Sequence, residues 1–141
     1  MNQERNQMIR VVIDTNAFIS SLSTKSKHHK LIELIRMGEI DLFVTNEIVL
    51  EYEEKLKEKY NFYLAESFIE ALKEYPNVNG INVFYNWFLL DDLDDNKFVD
   101  CYIAANADYL LTNDNDFNKL KKISFPKINL ITLQDFLKIT T

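Results

Sequence analysis

The chain has 141 residues, 47% of them hydrophobic, with 2 Gly, 2 Pro, a single Cys and a net charge of -6 from 16 basic and 22 acidic side chains. That profile fits one domain, residues 1–141, with a proper core and no linker-like or low-complexity stretch, and it argues against a generally basic nucleic-acid-binding surface. A lone cysteine excludes a disulfide framework and a thiolate metal site, and no apolar run is long enough for a membrane span, so a reduced, cytoplasmic setting without membrane partners is expected.

In chain order, Met1–Gln7 is a polar lead-in expected to fray. Met8–Ile13 is a near-continuous apolar run that reads as a buried strand and ends in Asp14. Asn16 is the expected cap of a short helix from Ala17 to Leu22, and a polar break at Ser23–Lys27 follows. Leu31, Ile32, Leu34 and Ile35 fall at helical spacing before Gly38, an expected helix stop. A short strand is predicted over Asp41–Thr45, then a helix capped by Asn46 with Ile48, Val49, Tyr52 and Leu56 as its apolar stripe. Glu47, Glu51, Glu53 and Glu54 share that helix, and periodicity does not choose among them.

A further helix spans about Tyr63 to Tyr75, ended by Pro76. Val83–Leu90 is unusually aromatic and reads as an edge strand or as a subunit interface. Asp91-Asp92-Leu93-Asp94-Asp95 then opens a helix whose Phe98, Cys101, Tyr102 and Ala105 share one face. An acid in a first helical turn is stabilised by the helix dipole alone, so position leaves a purely structural reading of Asp95 open, while Asp100 points elsewhere. Tyr109–Asn113 is a second buried run, ending in Asp114, and Asp116, a short basic helix, a strand at Ile128–Ile131 and a closing helix from Thr132 to Leu137 complete the chain.

Strands separated by helices predict an α/β fold, a three-layer α/β/α sandwich around a mostly parallel sheet. Such sheets bind ligands beyond the carboxyl ends of their strands, so Asp14 and Asp114 are expected to share one crevice, with the Asp91–Asp95 group aimed at the same place. Clustered carboxylates require protonation or a cation, and the cation reading implies divalent-metal chemistry. Two basic patches, Lys25, Lys27, His28, His29 and Lys30, then Lys119, Lys121, Lys122 and Lys127, are candidate substrate contacts, although charge runs are commonly solvated faces.

Four segments carry a resemblance: Val12-Ile13-Asp14-Thr15-Asn16, Val44 to Glu51, Asp92 to Phe98, and Ala107 to Phe117. In this order and spacing they resemble the signature segments of PIN-domain nucleases, most closely the small toxin components of toxin–antitoxin pairs. The resemblance, not periodicity, selects Glu51, and it implies a site of Asp14, Glu51, Asp95 and Asp114 supported by Asn16, Thr112 and Asp116. Leu93 stands where the family commonly has Pro, and Asn113 stands for its Gly, an exchange expected to need a left-handed backbone. It further implies an endoribonuclease using one or two Mg²⁺ or Mn²⁺ ions, with RNA as substrate, a cognate antitoxin as partner and a homodimeric state. Lys25, Lys27 and Lys30 are expected to help hold the RNA.

Other readings fit less well. A haloacid-dehalogenase-type phosphatase needs an acid two residues after its nucleophile, where Asn16 stands, and a receiver domain needs a strand-end lysine that is missing. The remaining alternative is a PIN-fold module without catalysis that binds RNA or a protein partner.

Overall fold

The computed structural model describes residues 8–140, so the expected fraying of Met1–Gln7 lies outside the described residues. Five parallel strands, β1 (Ile9–Ile13), β2 (Ile40–Val44), β3 (Val78–Gly80), β4 (Tyr109–Leu111) and β5 (Leu130–Ile131), form one sheet in the order β3-β2-β1-β4-β5. The helices flanking it are α1 (Thr15–Ser20), α2 (Lys30–Arg36), α3 (Asn46–Lys59), α4 (Phe62–Glu74), α5 (Asn96–Ala105) and α6 (Leu133–Ile139), with a 3₁₀ helix at Asn115–Lys122. This is the expected three-layer sandwich. The chain leaves β1 toward β2 on one side and later returns to β4 on the other, so the topological switch lies between the two strands that end near the key acids.

Val11, Val12 and Ile13 are fully buried, as a central parallel strand with both faces covered requires. Pairing runs one residue past β1, because the Asp14 amide donates to Leu111 O at 3.0 Å. Tyr52 of α3 stacks on Phe18 of α1, ring centroids 4.1 Å apart, and donates its hydroxyl to Ile13 O at 2.5 Å. A hydrogen bond of this kind adds about 1 kcal/mol, and here it locks the carboxyl end of β1 to the helix that carries Glu51.

Arg10 of β1 donates to Ala105 O at 2.5 Å and to Asn106 O at 3.3 Å, supplying a cation to the carboxyl end of α5, where Asn106 adopts a left-handed backbone. At the other end of α5 the Asn96 side chain accepts from Leu90 N–H at 2.9 Å and donates to Leu90 O at 3.1 Å. These ties hold both ends of the helix and so set the position of Asp95 at its start.

Several local expectations are corrected. Val83–Leu90 is not a strand: the Trp87 N–H donates to the Asp100 carboxylate at 3.0 Å, Asn96 takes both polar groups of Leu90, and Phe88 has a φ of 53° that breaks the pleat. Side chains of α5 therefore satisfy this backbone in place of a ladder. The edge strand is instead the short Val78–Gly80, obscured in sequence by its polar Asn79 and flanking Pro76. Asp14, not Asn16, caps α1, and Thr45, not Asn46, caps α3 through its bond from Ile48 N–H at 3.2 Å. Asn113 is not left-handed; its side-chain oxygen accepts from Leu133 N–H at 3.1 Å and so joins the end of β4 to α6.

Candidate metal centre

Asp14 follows β1 directly and is 5% exposed. Its Oδ1 accepts from Ala17 N–H at 2.8 Å, the ordinary capping bond of a strand-to-helix turn, and its Oδ2 accepts from the Thr112 hydroxyl. The same hydroxyl accepts from Asp114 N–H at 3.0 Å. Thr112 thus orients the acids at the ends of β1 and β4 with one atom. Asp114 Oδ1 in turn accepts from Asp116 N–H at 2.9 Å.

Asp14, Glu51, Asp95 and Asp114 all line one open cleft of about 780 Å³ at the carboxyl edge of the sheet. Asn16 is on its wall and Thr112 lies buried at the strand end. Asp116 is closer to Asp95 and Asp114 than expected for a merely supporting residue: each of the three offers a carboxylate oxygen within 4.8 Å of the others. Asp100 points away, to Trp87, as expected.

Burial, opposed by the bonds from Thr112 and Ala17, raises the Asp14 pKa, and the charges of Asp114 and Glu51 push the same way. Asp95 is raised from 3.8 to about 6, first by desolvation and then by Asp92, Asp114 and Asp14, with Lys97 opposing. Because the folded protein holds these protons more tightly than the unfolded chain, ion-free stability falls as pH rises from about 4 through about 6, and the cost is fully present above that window. Urea unfolding in a chelator across pH 4 to 7 is expected to show this decline, flattened in Asp95→Asn. Stability that increases over the same interval would contradict it.

Two residues of the cleft carry no signal in isolated motifs. Lys97 forms an ion pair with Glu51, and Thr15, 3% exposed, has a buried Oγ1 with no hydrogen-bond partner among the described residues. Lys97 is the second residue of α5, where a base is on the unfavourable end of the helix dipole; that mismatch was the available clue. Lys55 and Lys57 also line the cleft, whereas Lys25, Lys27 and Lys30 do not.

The donor set tests the implied metal. Converging carboxylates, with no Cys or His among the lining residues, suit a hard ion such as Mg²⁺ or Mn²⁺, and an orphan hydroxyl at the wall suits its hydration shell.

A parallel sheet whose switch point opens onto an acidic cleft defines an α/β domain with a group of carboxylates that could hold a metal ion. The PIN domain profile matches residues 10–116, and the chain belongs to the PIN domain family. It is 33% identical over 132 residues to an uncharacterized protein of Methanocaldococcus jannaschii, covering 89% of this chain and 84% of that one. The fold is similar to VapBC2 from Rickettsia felis, solved bound to a DNA fragment from its promoter: TM-score 0.62, 15% identity, 88% of this chain and 98% of the other. It is also similar to VapC20 of Mycobacterium tuberculosis, described as a sarcin–ricin loop cleaving toxin: TM-score 0.57, 14% identity, 77% of this chain and 93% of the other. A third likeness is to the PIN domain endonuclease Utp24: TM-score 0.52, 16% identity, 87% and 84% covered.

Proposed function

We propose that the protein is a divalent-metal-dependent endoribonuclease, the toxin component of a toxin–antitoxin pair acting in the cytoplasm. The observation that carries this reading is the meeting of Asp14, Glu51, Asp95 and Asp114, from four separate chain segments, in one cleft, with Asp116 converging on two of them. Membership of the PIN family and the likeness to VapC20 support RNA as substrate. Asp14, Asp95 and Asp114 would hold the ion, with Asp116 beside Asp95 and Asp114 and with Glu51 on the same cleft. When bound, Mg²⁺ or Mn²⁺ supplies Lewis-acid stabilisation of a phosphodiester and lowers the pKa of an attacking water.

The chain's own residues do the positioning. Thr112 fixes the direction of the Asp14 carboxylate and, through the Asp114 amide, the turn that presents Asp114. Asn16 and Thr15 at the amino end of α1 line the same cleft. Incubating labelled RNA and DNA strands with the protein in Mg²⁺, Mn²⁺ or chelator tests the reading. Ion-dependent scission of RNA is expected; ion binding with intact RNA would instead assign a non-catalytic binding module.

Substrate grip is proposed at two levels: Lys55 and Lys57 on the cleft wall, and Lys25, Lys27 and Lys30 on the exposed first loop and the start of α2. Replacing either group by Gln is expected to flatten the salt dependence of RNA binding, because fewer counterions are released. An unchanged slope in a variant removes that group from the interface.

A homodimer is proposed at the aromatic segment. Phe84 is 92% exposed and Phe125 82%, and Tyr85, Trp87 and Phe125 form a run of edge-on rings joined by Trp87. Exposed apolar area of this kind marks a partner surface, with the antitoxin as the other candidate occupant. Sedimentation is expected to give a dimer that Trp87→Ala/Phe88→Ser weakens. A wild type that stays monomeric at high concentration contradicts the dimer, and a variant that dimerises unchanged moves the contact elsewhere.

A further inference from the structure

We infer that Lys97 takes the charge position of a second divalent ion, so that the cleft loads a single one; this rests on the reading of the cleft as a divalent-metal site. Asp14, Glu51, Asp95 and Asp114 line the cleft with five further acids, and Asp116 reaches two of them from the adjoining pocket. Asp95, Asp114 and Asp116 converge, each with an oxygen within 4.8 Å of the others. The Glu51 carboxylate is outside that group and is engaged by the Lys97 ammonium. A dication beside Glu51 would have to displace this ammonium or lie against it, and like charges at that range repel strongly.

Lys97 is built into its position. Its Nζ also donates to Asp94 O at 2.6 Å and lies 5.1 Å from the centre of the Phe98 ring, and its side chain is only 13% exposed. The helix dipole opposes a lysine this early in α5, so the surrounding acids and the ring, not local helix preference, keep it there. With a flexible stem and a compact charge, it neutralises Glu51 before an ion arrives and offers a fixed positive charge to a substrate phosphate on that side of the cleft. Lys97 is on this account a positioning residue for Glu51 and the determinant of how many ions bind.

The test counts bound ions directly, by titrating Mn²⁺ into the protein and following free Mn²⁺ by electron paramagnetic resonance and heat by calorimetry. Wild type is expected to bind one ion per chain. Lys97→Gln, and Lys97→Met as a second variant that keeps the packing on Phe98, are expected to bind two, while Lys97→Arg retains one. Adding Glu51→Gln to Lys97→Gln is expected to return the count to one, an outcome that a merely structural lysine would not produce. Two ions in wild type, or a single ion of unchanged affinity in both charge-removing variants, overturns the inference while leaving the metal site intact. No bound ion in wild type overturns the divalent-metal reading itself.

Discussion

Exchanging Asp14 and Asp114 together for Asn is expected to abolish the rise in melting temperature caused by Mg²⁺ or Mn²⁺ and to lower RNA cleavage by on the order of 10³-fold or more. Asp14 directly follows β1 and Asp114 lies just beyond β4, and the Thr112 hydroxyl binds the Asp14 carboxylate and the Asp114 amide, so exchanging the two acids alters the centre of the cleft while leaving the sheet ladders untouched. The double variant is also expected to be more stable than ion-free wild type. Burial and the charges of Asp114 and Glu51 disfavour an ionised Asp14, and an amide at that position can still accept from Ala17 N–H. Melting curves with and without the ion separate the two effects. An ion-induced shift of wild-type size in the variant would remove the site as described.

The second large effect is expected at a residue that carries no charge. Thr112→Val preserves shape but deletes both the donor to Asp14 and the acceptor of the Asp114 amide, and losses of 10–100-fold in ion affinity or cleavage are typical when such orienting groups are removed. Thr112→Ser, which restores the hydroxyl, is expected to recover most of the loss. Equal Mn²⁺ affinity and cleavage in the Val variant and wild type would reduce Thr112 to a packing role.

The parts of this architecture legible in sequence are those written in continuous hydrophobic pattern. Met8–Ile13 and Tyr109–Asn113 read as buried strands because both faces of a central parallel strand are covered, and that reading puts Asp14 and Asp114 at one edge of the sheet; the strands themselves are Ile9–Ile13 and Tyr109–Leu111. Glu51 was not legible in this way: it shares α3 with Glu47, Glu53 and Glu54, and only the family's spacing separated it from them. Asp95 has a sufficient local explanation in the helix dipole; the family's spacing singles it out of the Asp91–Asp95 run, and the charges of Asp114 and Asp14 reach it from other elements of the fold.

The failures arise where a side chain takes a backbone group that a regular element would otherwise satisfy. Val83–Leu90 has the composition of a strand, yet Asp100, 13 residues beyond Trp87, and Asn96, 6 residues beyond Leu90, take its polar groups, a competition that composition does not record. The helix caps moved by one or two residues because Asp14 and Thr45, assigned to strand ends, also accept the first free helical amides. Lys97 escapes notice for a different reason, since its partner Glu51 lies on another helix and only its place early in α5 hints at a partner.

An anomalous-scattering map from crystals grown in Mn²⁺ tests the central claim most directly. The account predicts a peak inside the cleft, in contact with the carboxylates of Asp95 and Asp114 and beside Asp14. A cleft without that peak, in a protein that cleaves RNA in the same Mn²⁺ buffer, would contradict it.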